Sequence, residues 1–182
     1  MNKLMPIILL TLMTFVAYGV YKQANKSIKT KRLECQSKTT TFEKIFVEEP
    51  IKEAINSLKS NNYIINSSIE YSKFMKSNLI NILKKEQADE ILNKVIKSQI
   101  TIEDKKTSDD TKVSINYYIY ENDKQDTGKK NNDAKSYAGY LMFEFKYNNI
   151  LVYKIQTDYM QMDASDIEDR MHCAIKSFID ID

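Results

Sequence analysis

The chain is 182 residues long with a formal net charge of +2, twelve tyrosines, three glycines and no tryptophan. Most of the basic excess sits in 22–32, so the remainder is neutral to slightly acidic, and arginine occurs only at 32 and 170. A phosphate-binding face should show a basic stripe with arginine, so nucleic-acid binding is disfavoured. So few glycines do not suit a nucleotide enzyme built on a glycine loop.

Residues 4–20 (LMPIILLTLMTFVAYGV) carry no charge, with Lys3 before them and Lys22, Lys26, Lys29, Lys31 and Arg32 after them. At about 1.5 Å per residue they span about 26 Å, the short end of a bilayer core. Two readings compete. One is a cleaved secretory signal ending in the small-x-small tripeptide Ala17-Tyr18-Gly19. The other is an uncleaved anchor, with Tyr18 and Tyr21 at the interface. The flanking lysines, counted alone, place the main domain in the cytoplasm. The tripeptide and the cysteines argue for export. The expected organisation is a signal-anchor or signal peptide over 1–21, a basic juxtamembrane linker over 22–32 and a single α+β domain over 33–182.

Within the domain, Leu33, Cys35 and Ser37 alternate with polar residues, a weak strand signal within 33–47. Glu48, Glu49 and Pro50 open a helix whose apolar face is Ile51, Ala54, Ile55 and Leu58, stopped by Ser60-Asn61-Asn62. Residues 63–69 read as a short strand or an extended link. From Tyr71 the period turns helical, through Phe74, Met75, Leu79, Ile82 and Leu83. The polar run 84–90 breaks it before a second helix with Ile91, Leu92, Val95 and Ile96. Ile100 and Ile102 alternate as in a strand, followed by a polar turn over 104–110.

Val113, Ile115, Tyr117 and Ile119 then share one strand face, opposite Ser114, Asn116, Tyr118 and Tyr120. Residues 121–135 read as a long exposed loop. Gly139, Leu141, Phe143, Phe145 and Tyr147 define the next strand. Asn148-Asn149 is a two-residue hairpin turn, and 150–160 is the following strand. The sum is a meander of up to four antiparallel strands, polar on one face and covered by helices on the other. Ser165 and Glu168 form an S-x-x-E capping box for a last helix with Ile167, Met171, Ala174, Ile175 and Phe178 inward.

Cys35 and Cys173 are the only cysteines. On a wheel of 100° per residue the last helix's apolar face centres near about 30° from Ile167, and Cys173 falls near about 240°. An off-stripe cysteine makes sense if the Cys35 segment crosses the helix and bonds to it. Such a bridge is worth roughly 5 kcal/mol as an upper figure. Neither a C-x-x-C nor a second histidine exists, so no metal and no cofactor is expected.

His172 adjoins Cys173, but helix neighbours point about 100° apart, and an oxidised cysteine cannot be a nucleophile. Asp104, Asp109 and Asp110, and Asp123, Asp126 and Asp133, lack the order of a calcium loop. Nothing selects a catalytic carboxylate pair. Tyr118, Tyr120, Tyr140 and Tyr153 are the candidate partner-binding surface, weighed against ordinary cross-strand pairing.

The expected function is that of a non-enzymatic accessory or binding protein of the bacterial envelope. It sits in the inner membrane by a single N-terminal pass, with its domain extracytoplasmic, and its partners are the membrane and an envelope protein. A secreted binder or inhibitor is the alternative, then an envelope hydrolase or a domain on the cytoplasmic side.

Overall fold

The computed structural model of the chain describes residues 4–25, 32–100, 111–128 and 136–181. The order of elements is α1 (Leu4–Asn25), β1 (Thr40–Ile45), α2 (Ile51–Lys59), β2 (Tyr63–Glu70), α3 (Lys85–Gln99), β3 (Val113–Glu121), β4 (Gly139–Tyr147), β5 (Ile150–Tyr159) and α4 (Ile167–Ile179). The fold is α+β, with one five-stranded sheet in the order β1-β5-β4-β3-β2.

The meander β3-β4-β5 is antiparallel, as its alternation predicts. β1 adds to β5 antiparallel, and β2 adds to β3 parallel. The parallel pair is a departure from the expected meander. It is possible because the long connection through α3 carries the chain back to the starting end of the sheet. Asn148 and Asn149 both take positive φ, 51° and 61°, which is the geometry that closes a two-residue hairpin. Gly139 is fixed by crowding. A Cβ there would lie 2.0 Å from the Tyr120 carbonyl oxygen and 2.4 Å from the Tyr159 ring.

The core lies between the sheet and α2, α3 and α4. Every predicted apolar position of α2 and α4 is buried. Phe145 stacks on Phe178 at 4.0 Å, and Tyr117 stacks on Phe143, its direct cross-strand partner, at 5.2 Å. Aromatic pairs in these arrangements add to what area burial alone supplies.

Several local expectations fail. First, 33–37 is not a strand. A 3-10 turn at Glu34–Gln36 leads into β1, with Leu33 N–H donating to the buried Gln36 side chain at 2.6 Å. Second, 71–83 is not a helix; only a 3-10 turn at Leu79–Asn81 forms there. Third, the Ser165–Glu168 capping box does not close. Ser165 bonds to Asp163, and Asp166 accepts Met160 N–H and Gln161 N–H ahead of α4. The polar run 85–90 is not a break but the first part of α3, Ile100 ends α3 rather than starting a strand, and Ile102 with the 104–110 turn lies outside the described residues.

Cys35 and Cys173 form a disulfide, with Cα atoms 5.9 Å apart and a sequence separation of 138. The 32–39 strap crosses α4 on the side away from its sheet-facing stripe. It covers Cys173, which is 1% exposed. Thr39 Oγ1 donates to the Cys35 carbonyl and Ser177 Oγ to the Cys173 carbonyl, so the backbone on both sides of the bond is tied.

The side chains of α1 described from Leu10 to Tyr21 are all exposed, polar and apolar alike. Among the described residues, no helix is long and apolar enough to cross a membrane.

Candidate interaction face

The helices cover one face of the sheet and leave the other open, so the open face is where ordered side chains meet solvent. Cross-strand register assigns its rows. Glu70, Tyr120, Tyr140 and Asp158 form one row, Ser68, Tyr118, Met142 and Gln156 the next, and Asn66, Asn116, Glu144 and Lys154 a third. Tyr120 stacks on Tyr140 at 4.9 Å, and Tyr118 meets Tyr140 edge-on at 5.9 Å. These three of the predicted tyrosines are brought together, half-buried, on one surface.

Tyr153 is not with them. It is 0% exposed, in the core against Phe145 and Phe178, and its hydroxyl donates to Glu43. The cause is a shift of register. From the turn outward Tyr147 pairs with Ile150 and Lys146 with Leu151, but Phe145 pairs with Tyr153. Val152 is the extra residue, and one extra residue exchanges the two faces of every later position.

The charges on the open face are arranged by position. At its Tyr140 end, burial raises the Asp158 carboxyl above its ordinary range, and burial together with the neighbouring tyrosines raises the Tyr140 phenol. Further along, Lys154 bonds Glu144 at 2.8 Å and holds that carboxyl below the ordinary range. The face therefore runs from aromatic and acidic to polar and ion-paired. At the second end lies a shallow groove of about 490 Å³, lined by Ile64, Asn66, Ser114, Asn116, Lys146 and Asn148 among others.

At the aromatic end the sheet meets the 71–84 loop, held by two carboxylates that the sequence reading placed in an exposed loop. Glu121 is 2% exposed. Its Oε1 accepts Asn78 N–H at 2.7 Å and Leu79 N–H at 3.1 Å, while Oε2 accepts Ser72 N–H at 3.0 Å and the hydroxyls of Ser72 and Ser77. Asp123 Oδ2 accepts Lys73 N–H at 2.6 Å and Phe74 N–H at 2.5 Å. Burial alone would raise the Glu121 carboxyl; the donors outweigh it and hold it low. Backbone donors that a helix would have bonded internally are taken by carboxylates instead, and this is why 71–83 stays irregular despite its period. The loop buries Leu79 and Leu83 but leaves Phe74 62% exposed. Between it and the sheet is a cavity of about 200 Å³ that includes Glu70, Tyr71, Phe74, Tyr120 and Asp123.

Glu121 was findable. It continues the inward series Val113, Ile115, Tyr117, Ile119, so strand parity alone places it beneath the helices. Asp123 had no such signal. Asp104, Asp109, Asp110 and Asp133 lie outside the described residues. Among the described residues, no group of three or more His, Cys, Asp or Glu side chains could hold a metal ion. His172 is exposed on α4, its carbonyl accepting from Gln99, and Cys173 is committed to the disulfide.

No known protein family, no curated protein and no solved structure matches this chain.

Proposed function

We propose that this chain is a membrane-tethered accessory protein of the bacterial envelope that binds another envelope protein through the open face of its sheet, without catalysis. The observation that carries the reading is that face. Tyr118, Tyr120 and Tyr140, half-buried, form an aromatic patch beside the buried Met142 on an antiparallel scaffold, flanked by Glu70 and the Glu144–Lys154 pair. Tyrosine at a centre with charges at the rim is the composition of protein-binding surfaces.

The Cys35–Cys173 bond supports an extracytoplasmic domain, since disulfides persist in oxidising compartments. The uncharged 4–20 stretch supports the tether. Glu121 and Asp123, the most deeply buried carboxylates near the cavity, bind backbone donors, an arrangement that suits architecture more than acid–base work.

The test uses the full-length protein in its native membrane. A photo-crosslinking residue is placed at Tyr118 or Tyr140, with Lys97 on the exposed side of α3 as the control. Adducts of one defined mass at the two sheet positions and none at Lys97 are expected. Protease added to spheroplasts should digest the domain, and non-reducing mass spectrometry should find an intact N-terminus with the cysteines linked. A chain starting at Val20 would replace the tether by the secreted-binder alternative. Equal labelling at Lys97, or free thiols on a protected domain, would overturn the proposal.

A further inference from the structure

The two edges of the sheet are unequal. β1 carries a register shift between Thr40 and Phe42, Lys44 next to its last residue, and the Arg32 guanidinium donating to the Thr40 carbonyl at 3.5 Å. A bulge and an edge lysine are devices by which natural edges are closed to further pairing. β2 (YIINSSIE) has no lysine, no proline and no bulge, and it pairs in unbroken register from Tyr63–Val113 to Glu70–Tyr120.

The direction of its backbone groups can be fixed. Val113 N–H donates to the Asn62 carbonyl, so Asn62 faces β3. By the period of two, the even-numbered residues of β2 also face β3, and Tyr63, Ile65, Ser67 and Ile69 turn N–H and C=O outward. Among the described residues, nothing hydrogen-bonds to these outward groups. Their side chains, on the helix-covered side, are only half-buried, whereas the inward residues of β3 and β4 are fully buried.

We propose that β2 pairs antiparallel with β2 of a second copy of this chain, across a two-fold axis at Asn66. Antiparallel pairing requires outward-facing residues to oppose outward-facing residues. Centred on Asn66, Tyr63 of one copy opposes Ile69 of the other and Ile65 opposes Ser67. Every outward N–H and C=O from Tyr63 to Ile69 then gains a partner. Ile64, 45% exposed, opposes Ser68, and Glu70, the only charge in β2, opposes Asn62, so no like charges meet. Each copy offers one unprotected edge, so the pairing closes at a dimer instead of growing into a fibre. The axis is perpendicular to the sheet and puts both tyrosine faces on the same side. The inference does not depend on what that face binds.

The test is the mass of the full-length protein in detergent by light scattering, with the detergent contribution subtracted. A dimer is expected. Ser67→Pro removes an outward N–H without touching the β3 ladder, and should abolish the dimer peak while the circular dichroism and the Cys35–Cys173 link persist. Because proline in a strand can unfold it, a second pair of variants decides independently. Asn66→Cys should oxidise to a covalent dimer, since the two copies of residue 66 face each other, while Ser68→Cys, displaced along the strand from its own counterpart, should not. A monomeric wild type overturns the proposal. So does a dimer in which Asn66→Cys fails to link, which would put the contact elsewhere.

Discussion

Two irregular segments are fastened to the regular core in opposite ways. The 32–39 strap is held on α4 by a covalent bond, Cys35–Cys173. The 71–84 loop is held at the end of β3 by hydrogen bonds to Glu121 and Asp123. The first attachment ignores pH and yields to a reductant. The second ignores reductants and yields to protonation. The same task, fixing a segment without secondary structure of its own, is done in one place with a single bond of high strength and in the other with several charge-assisted bonds from backbone donors.

The largest expected effect breaks the covalent side. Closing a loop of 138 residues is worth about 5 kcal/mol in the chain-entropy treatment, with native strain left out. The Cys35→Ser/Cys173→Ser double variant should therefore lose up to about 5 kcal/mol in urea unfolding. Reductant should shift the wild-type midpoint towards that of the variant and leave the variant itself unmoved. An unchanged midpoint on reduction would mean that the strap holds without its bond.

Next comes the electrostatic side. Glu121→Gln keeps the shape but turns one acceptor oxygen into a donor facing donors. A loss of about 3 kcal/mol is expected, the scale of breaking charged hydrogen bonds in a buried site. The exchange protection of Asn78 and Leu79 amides should fall first, because these donate to the same oxygen. Uniform loss of protection across β3 and β4 would instead place Glu121 in the global core.

Acid should separate the two fastenings. The Glu121 carboxyl is held below its unfolded value of about 4.3, so its contribution is full above that pH and is lost as pH falls through the lower folded value. Between neutral pH and pH 3 the wild-type and Glu121→Gln curves should converge, while the increment from the disulfide stays constant. Asp158 has the opposite sign. Burial raises its carboxyl, so stability is lost as pH rises through that raised value, and Asp158→Asn should be neutral or slightly stabilising at pH 7. A gap between the wild type and Glu121→Gln that does not narrow from pH 7 to pH 3 would contradict the role given to Glu121.

What the sequence made legible follows the reach of the interaction concerned. α2, α4, the part of α3 from Ile91 and the β3-β4-β5 meander are written in local periodicity, because their burial repeats every 3.6 or 2 residues. The off-stripe position of Cys173 was enough to infer the strap. The 71–83 segment was misread because its local period is helical while its backbone donors answer to Glu121 and Asp123, some fifty residues away. Tyr153 was misplaced because the single extra residue at Val152 exchanges the faces of β5, and a bulge leaves no mark in an alternation count. The parallel addition of β2 was equally hidden. Its alternation is the same whichever direction its neighbour runs, and only the length of the α3 connection permits the parallel choice. Of the interaction face, Tyr118, Tyr120 and Tyr140 were legible by parity. The carboxylates that set the loop beside them were not.

The smallest expected effect is the coupling between the two fastenings. β1, which continues the strap, and β3, which carries Glu121, are separated by β5 and β4. At about 4.8 Å per ladder the two strands are about 14 Å apart. The strap's partners are on α4 and β5, and the loop's are on β3 and the segment that follows it. Perturbations at this distance without a common partner usually add to within about 0.5 kcal/mol. Combining Glu121→Gln with Cys35→Ser/Cys173→Ser should therefore cost the sum of the separate losses, provided the triple variant still folds enough to be measured. A shortfall above about 1 kcal/mol would mean that releasing one segment already loosens the other. The strap and the loop would then be two ends of one cooperative unit running through β4 and β5, instead of independent clasps on a rigid sheet.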